Sequence, residues 1–128
     1  MIRRPVAGLS ALMRLWIALW LGVFLLPHAV AQRAASGLPE LAAAQLPAEA
    51  RETLRLIRKG GPFPYDRDGI VFGNFEKRLP LRERGYYPEY TVPTPGVRSR
   101  GARRIITGRG GELFYTDDHY NSFKRVRE

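Results

Sequence analysis

The pattern of hydrophobic positions changes character twice along the chain. Residues 15–26 read LWIALWLGVFLL, a run of twelve apolar residues. Further on, Ala50, Leu54 and Ile57 fall on one face at helical spacing, and charged residues occupy the other faces. After the helical pattern, short apolar stretches alternate with segments rich in glycine and proline, which is typical of strands and turns. We therefore expect an apolar N-terminal segment, one amphipathic helix and a β-sheet.

The helix is predicted to begin at Leu46 and Pro47 and to end at Gly60 and Gly61. Proline is tolerated at the first helical position, and glycine adopts the left-handed capping conformation at little cost. Strands are predicted at residues 70–72, 86–92, 103–107, 112–116 and 120–126. One helix followed by several antiparallel strands is an α+β arrangement. We therefore predict an α+β domain in which one N-terminal helix packs on an antiparallel β-sheet.

The apolar run at residues 15–26 is preceded by arginines and is short for a membrane span. Ala29, Val30 and Ala31 then match the small-x-small pattern at which signal peptides are cleaved. We predict that residues 1–31 are a secretory signal peptide, cleaved after Ala31, and that the protein is secreted to the extracellular space. An uncleaved signal anchor is the alternative.

Cleavage after Ala31 would leave 97 residues with a net charge of +6 and no cysteine. Packing alone must then hold a domain of a size at which exported proteins often use disulfides. Residues 32–45 are predicted to form a flexible lead, with a short strand or turn at residues 41–44 as the alternative. Residues 46–128 are predicted to be the functional domain. The positive charge indicates an anionic partner such as nucleic acid, lipid or acidic glycan, unless it serves only solubility.

The candidate chemistry lies within residues 85–120. Glu89 is a lone carboxylate in one predicted strand, and Arg100 and Arg104 flank the start of the next strand. A lone carboxylate facing a cluster of arginines is unusual, because an ion pair between them at the surface would contribute little to stability. His119 is the one histidine of the predicted mature chain, so neither a two-histidine metal site nor another cofactor is expected. Together, the carboxylate, the arginines and the histidine suit acid–base chemistry on a phosphodiester.

Four runs of this sequence are similar to the extracellular guanyl-specific ribonucleases of bacteria, the family that includes barnase, and especially to its smaller members. The runs are GPFPYDRDGIVFGN at 61–74, GYYPEYTV at 85–92, TPGVRSRGARRIITG at 94–108 and YTDDHYNSF at 115–123. The resemblance implies the microbial ribonuclease fold, in which one helix packs on a twisted antiparallel sheet and the open face carries the active site. It also implies a metal-independent endoribonuclease that cleaves single-stranded RNA 3′ to guanosine through a 2′,3′-cyclic phosphate.

The resemblance assigns catalytic roles to four residues. Glu89 corresponds to the base that takes the proton of the 2′-hydroxyl, and His119 corresponds to the acid that protonates the departing 5′-oxygen. Arg100 and Arg104 correspond to the phosphate-binding arginines, which would stabilise the charge of the transition state. A carboxylate near His119 is expected to favour its protonated form. DNA should not be cut, because it lacks the 2′-hydroxyl.

The resemblance also implies a guanine pocket formed by Phe72, Asn74, Phe75, Glu76 and Tyr120. Glu76 can accept hydrogen bonds from N1–H and N2–H₂ of guanine, whereas adenine would leave this carboxylate unpaired. Backbone N–H groups of the same loop would bond O6, and Phe72 and Tyr120 would stack on the base. Within this pocket the chain departs from the family in two places, since Phe75 stands where an arginine is common and Gly73 replaces a polar residue. The chain also lacks the disulfide that commonly joins the two ends of the smaller members.

Simpler interpretations remain for several of these residues. Glu89 is also typical of an edge-strand charge that discourages aggregation, Phe72 of a core residue, and Glu76 of a partner for Lys77 or Arg78. The alternative function is a non-catalytic cationic protein that binds RNA or acts on cell envelopes. The expected partners are single-stranded RNA and, from the resemblance, a barstar-like protein inhibitor. The mature protein is expected to be a monomer without stable membrane association.

Overall fold

The computed structural model describes residues 37–128. The predicted signal peptide, its cleavage site and residues 32–36 lie outside the described residues. The elements are, in chain order, β1 (Glu40–Ala42), a 3₁₀ turn (Ala43–Gln45), α1 (Ala48–Lys59), β2 (Glu89–Thr91), β3 (Arg104–Thr107), β4 (Leu113–Thr116) and β5 (Lys124–Arg127). Within residues 37–128, no helix is both long enough and apolar enough to span a membrane.

Helix α1 forms where the apolar spacing predicts it. Pro47 occupies the N-cap with φ −53°, and Gly60 ends the helix in the left-handed conformation with φ 84°. The buried hydroxyl of Thr53 donates a hydrogen bond to the carbonyl of Thr91 (3.1 Å), which ties the middle of the helix to β2. The predicted helix and its glycine end signal are therefore confirmed, whereas Pro47 is the N-cap and not the first helical residue, because the helix begins at Ala48.

The sheet has five strands in the order β1-β5-β4-β3-β2. Neighbouring strands are antiparallel except for β1 and β5, which run parallel with Leu41 opposite Val126. The predicted α+β fold, with one helix on a largely antiparallel sheet, is therefore confirmed, and the parallel pairing of β1 with β5 makes the sheet mixed at this edge. Residues 40–45 form a strand and a turn, which confirms the alternative given for residues 41–44 and not the flexible lead. Leu41 provides the physical reason, because its side chain packs against the core beneath α1.

The predicted strand at residues 70–72 is replaced by an isolated bridge between Val71 and Pro88. This segment still runs beside β2, since the N–H of Glu89 donates to the carbonyl of Ile70 (2.8 Å). Proline has no N–H to donate to a ladder, so a regular strand cannot extend through Pro88. For the same reason, the strand expected at residues 86–92 is shortened to β2.

The sheet separates two hydrophobic clusters. The cluster on the helix side consists of Leu46, Ala50, Leu54, Val92, Ile105, Tyr115 and Val126. The second cluster consists of Leu79, Tyr87, Ile106, Phe114 and Phe123. Because side chains alternate along a strand, Glu89 and Arg104 lie on the same face as Ile106, away from the helix. This open face of the sheet therefore carries both a small core and the charged residues beside it.

Candidate active site

A carboxylate buried on the open face forms the centre of the candidate site. Glu89 lies on β2 with 5% of its surface exposed. The hydroxyl of Tyr120 donates to its Oε2 (2.8 Å), and Nη2 of Arg100 donates to its Oε1 (3.2 Å). A buried charge needs such partners, because its desolvation is otherwise costly. The two hydrogen bonds fix the orientation of the carboxylate, one through each oxygen.

The two predicted phosphate-binding arginines are themselves held by the protein. Nε of Arg100 donates to Oγ1 of Thr91 (3.0 Å). Arg104 is 3% exposed, and its Nη1 donates to the carbonyls of Gly101 (3.0 Å) and Arg103 (2.7 Å). In the described part of the chain, no hydrogen bond uses Nη2 of Arg104. Each guanidinium is thus positioned by protein acceptors, and Arg104 keeps a donor for a ligand.

Tyr120 connects the charged residues with one another. Its hydroxyl donates to Glu89 and accepts a hydrogen bond from Nε of Arg104 (3.1 Å). Burial raises the pKa of the Tyr120 hydroxyl, and the hydrogen bond to Glu89 raises it further. The hydroxyl therefore remains protonated and able to donate at neutral pH. Sequence analysis assigns Tyr120 only to the base pocket, and no spacing in the chain indicates this second role.

His119 is exposed and lies in the turn between β4 and β5. Its φ is 55°, and its N–H donates to the carbonyl of Ala102 (3.0 Å). Tyr120 has a φ of 69°, so the strand predicted from residue 120 begins only at Lys124. The ring of Tyr120 lies beside that of His119, with centroids 4.9 Å apart. Among residues 37–128, no carboxylate forms an ion pair with His119.

The loop that follows the edge segment contains the predicted base-binding residues. Asn74 adopts φ 50°, and its side-chain amide donates to the carbonyl of Leu79 (2.9 Å) and accepts from the N–H of Leu79 (3.0 Å). These bonds clamp the loop, so the Asn74 side chain shapes its backbone. The Glu76 side chain is 70% exposed and forms an ion pair with Arg78. The structure therefore agrees with the simpler interpretation of Glu76 as a partner for Arg78. Both residues also line the cavity described below.

Phe75 is 84% exposed and lies over Gly73. A Cβ at Gly73 would approach the Phe75 ring to 2.5 Å, which is closer than real side chains allow. A side chain at position 73 would therefore displace the exposed Phe75 ring from this position. The two departures noted in the sequence, at positions 73 and 75, are consequently a single structural feature.

A cavity of about 320 Å³ connects this loop with the buried carboxylate. It is lined by Arg67, Ile70, Val71, Phe72, Gly73, Asn74, Phe75, Glu76, Arg78, Glu89, Tyr120 and Phe123. Its volume is at the small end of the range for ligand pockets, about 300–1,000 Å³, which suits a single base. Phe72 and Tyr120 stack on each other with centroids 5.2 Å apart, and Phe72 also contacts the edge of Phe123. Phe72 is thus both a core residue and a cavity wall.

The structure brings the nine predicted site residues into one region. Six of them line the cavity, and the others adjoin it through contacts with Glu89 and Tyr120. Three further residues of the site were not predicted: Thr91, which orients Arg100, and the cavity-lining Arg67 and Arg78. Threonine in a strand and arginine in a loop are common, so the sequence provides no signal for them.

A family model described as ribonuclease matches residues 29–127. Guanyl-specific ribonuclease St of Saccharopolyspora erythraea is 56% identical over 89 residues, which cover 70% of this chain and 88% of that protein. Guanyl-specific ribonuclease Sa3 of Kitasatospora aureofaciens is 61% identical over 82 residues, which cover 63% of this chain and 58% of that protein.

Solved structures show the same similarity. A structure of ribonuclease Sa2, from a study of its complexes with mononucleotides, superposes with a TM-score of 0.71 at 48% sequence identity. The match covers 72% of this chain and 96% of that one. A structure of ribonuclease Sa2 with guanosine-2′-cyclophosphate superposes with a TM-score of 0.69, also at 48% identity, and covers 71% of this chain and 97% of that one.

Proposed function

Because this chain belongs to the guanyl-specific ribonuclease family of microbes, we propose that it is an endoribonuclease that cleaves single-stranded RNA 3′ to guanosine. The observation that carries the proposal is the buried Glu89, which lines a cavity large enough for one base. Arg100 and Tyr120 orient its carboxylate through hydrogen bonds. A buried, oriented carboxylate beside arginines is an arrangement suited to proton transfer at a bound phosphodiester.

The proposed reaction is an internal transesterification. Glu89 accepts the proton of the 2′-hydroxyl, whose oxygen forms a bond to phosphorus while the bond from phosphorus to the 5′-oxygen breaks. His119 gives a proton to the departing 5′-oxygen, which its exposed position at the rim allows. The products are a 2′,3′-cyclic phosphate and a free 5′-hydroxyl. In the slower second step, water opens the cyclic phosphate with the roles of the two residues exchanged.

The arginines would act on the phosphate rather than on protons. Charge builds up on the phosphate oxygens in the transition state, and donors that are already in place stabilise it without further reorganisation. Arg104 offers Nη2, and its other donors are held by the carbonyls of Gly101 and Arg103 and by Tyr120. Arg100 is 22% exposed at its side chain, so it can reach a bound phosphate from beside Glu89.

Guanine recognition would use the loop at residues 73–76. The carboxylate of Glu76 would exchange its ion pair with Arg78 for the N1–H and N2–H₂ groups of guanine. The clamp formed by Asn74 holds the loop backbone, whose N–H groups would bond O6. The exposed ring of Phe75 offers an apolar surface for the base at the rim, beside the walls formed by Phe72 and Tyr120.

Dinucleotide kinetics test the proposal. In the presence of a chelator, the wild-type protein should cleave GpU with a kcat/KM far above that for ApU. The variant Glu76→Ala should reduce the ratio of these two values by at least about tenfold, because the loop then lacks the acceptor that distinguishes the bases. The control Glu83→Ala removes another exposed carboxylate, paired with Arg109, and should leave the ratio unchanged. Equal losses on both substrates in Glu76→Ala would contradict the assignment of the pocket.

Secretion is also part of the proposal, supported by the arginines, apolar run and cleavage pattern of residues 1–31. Protein collected from the medium of a producing bacterial culture should begin at Gln32 when its N-terminus is sequenced. Recovery of the chain only in the cell pellet, with residues 1–31 intact, would contradict export and cleavage.

A further inference from the structure

We propose that Arg67 binds the RNA phosphate on the 5′ side of the bound guanosine, so that the protein favours strands that continue in that direction. This inference rests on the proposed function and adds a contact outside the scissile linkage. The contact would extend recognition from one nucleotide to the adjoining part of the RNA backbone.

Arg67 is a cation in the cavity for which residues 37–128 provide no ion-pair partner. It is exposed, and it lines the same cavity as Glu89. Within residues 37–128, none of the ion pairs involves Arg67, whereas the other newly found cavity arginine, Arg78, is paired with Glu76. A guanidinium with this freedom is suited to a phosphate, because it can donate two parallel hydrogen bonds to phosphate oxygens.

The backbone that carries Arg67 is fixed relative to Glu89. The neighbouring Asp68 accepts hydrogen bonds from the N–H groups of Thr91 (2.7 Å) and Tyr65 (3.2 Å), so its carboxylate is used by the backbone. The N–H of Gly69 donates to the carbonyl of Glu89 (2.7 Å). The turn is thus attached to β2, and the position of Arg67 at the cavity does not depend on a loosely held loop.

The sheet order indicates which phosphate Arg67 can reach. Strand β2 pairs with β3 on one side, and β4 lies beyond β3. Arg104 on β3 and His119 after β4 therefore both lie on that side of β2. The segment after Arg67 runs along the other side of β2 and continues into the base loop. In the proposed reaction, His119 protonates the 5′-oxygen of the departing nucleotide, which is on the 3′ side of the guanosine. Arg67 therefore lies on the opposite side, towards the base and the 5′ end of the guanosine.

A trinucleotide with one altered linkage tests this contact. The substrates are UpGpU and the same molecule with an uncharged methylphosphonate between U and G, and the measured quantity is the ratio of their kcat/KM values at low salt. The ratio should exceed one for the wild-type protein. It should fall by about two- to fivefold in Arg67→Gln, the range expected for one exposed ion pair, and Arg67→Lys should retain part of it. The control Arg51→Gln removes a charge from the exposed surface of α1, across the sheet, and should leave the ratio unchanged.

The dependence on salt gives a second readout with longer single-stranded RNA. One lost phosphate contact should reduce the slope of log affinity against log salt by about 0.7 in Arg67→Gln. An unchanged substrate ratio in Arg67→Gln, or equal losses on both trinucleotides, would overturn the proposed contact. Failure of the wild-type protein to cleave GpU would instead overturn the proposed function, so the two failures are distinguishable. Circular dichroism of each variant should match that of the wild-type protein.

Discussion

The two halves of the site are built in different ways. In the proposed catalytic half, Glu89 and Arg104 are almost completely buried; the Glu89 side chain accepts two hydrogen bonds and the Arg104 side chain donates three. In the base loop, Phe75 is 84% exposed and the Glu76 side chain is 70% exposed. In the proposed mechanism, the base Glu89 and the phosphate-binding Arg104 are therefore fixed before a ligand arrives. The acid His119 and the base-recognition side chains are instead exposed.

This difference predicts that the two halves fail separately. Changes in the catalytic half should lower the rate on every substrate, because all substrates share the same phosphodiester. Changes in the base loop should alter the preference for guanine over adenine. A variant of one half that produced the effect expected of the other would show that the division is incorrect.

The largest effect is expected for Glu89→Gln. Glutamine keeps the size of the side chain but cannot accept the 2′-hydroxyl proton, so kcat should fall by about 10²–10⁴-fold, the usual contribution of a general base. The loss should be the same for GpU and ApU. Thermal unfolding should show that the variant is folded, and activity within tenfold of wild type in the folded variant would contradict the role of Glu89.

A smaller loss is expected for Tyr120→Phe. Phenylalanine keeps the ring that stacks on Phe72 but removes the hydroxyl that connects Glu89 with Arg104. We expect kcat on GpU to fall by about 10- to 100-fold, since a hydrogen bond to a charged group contributes about 1.5–3 kcal/mol. The ratio of GpU to ApU cleavage should be unchanged. A shift in that ratio without a loss of rate would move Tyr120 from the catalytic half to the base loop.

The base loop is tested by the contact between Gly73 and Phe75. Alanine at position 73 would place a Cβ in the space of the Phe75 ring, so Gly73→Ala should raise KM for GpU by about threefold, the scale of one aromatic contact. In a Phe75→Ala background, the same change should have no further effect, because the clash is gone. Additive effects of the two substitutions would show that the ring does not depend on the glycine.

The smallest effect concerns the core beneath the loop. Burial raises the pKa of Tyr87 to about 12, and its hydroxyl donates to the carbonyl of Pro80 (2.6 Å), next to the buried Leu79. Because the folded-state pKa is above the unfolded value of about 10, the stabilisation is complete below pH 10 and is lost as the pH rises towards 12. Urea unfolding between pH 8 and pH 12 should show this loss, and Tyr87→Phe should have a shallower pH dependence. An unchanged dependence in that variant would contradict the assignment to Tyr87.

Local features of the sequence were sufficient to predict the helix and the positions of β3 and β4. The spacing of Ala50, Leu54 and Ile57 and the glycines at positions 60 and 61 are local signals, and the structure confirms both. The parallel pairing of β1 was missed, because it joins residues that are more than 80 positions apart through an alanine-rich segment with little pattern. The sequence likewise does not show that Pro88 shortens the strand, because the consequence of its missing N–H depends on which segment lies beside it in the sheet.

The site was predictable to a similar extent. The resemblance to a known family identifies Glu89, Arg100, Arg104 and His119. In the structure, Arg100 and Tyr120 contact the Glu89 carboxylate, and Tyr120 also contacts Arg104 and His119. The bridging hydroxyl of Tyr120 could not be predicted, because its two partners come from strands that lie apart in sequence. The sequence gives no signal for Arg67 either, because only the fold brings its turn to the cavity.

Sequencing the 3′ ends of digested RNA tests the central claim most directly. Structured and unstructured RNA would be incubated with the wild-type protein and with Glu89→Gln in a buffer that contains a chelator. We predict fragments that end in guanosine 2′,3′-cyclic phosphate, drawn from the unstructured regions, with the wild-type protein and almost none with the variant. Fragments with ends spread over all four bases, or equal cleavage by the two proteins, would contradict the account.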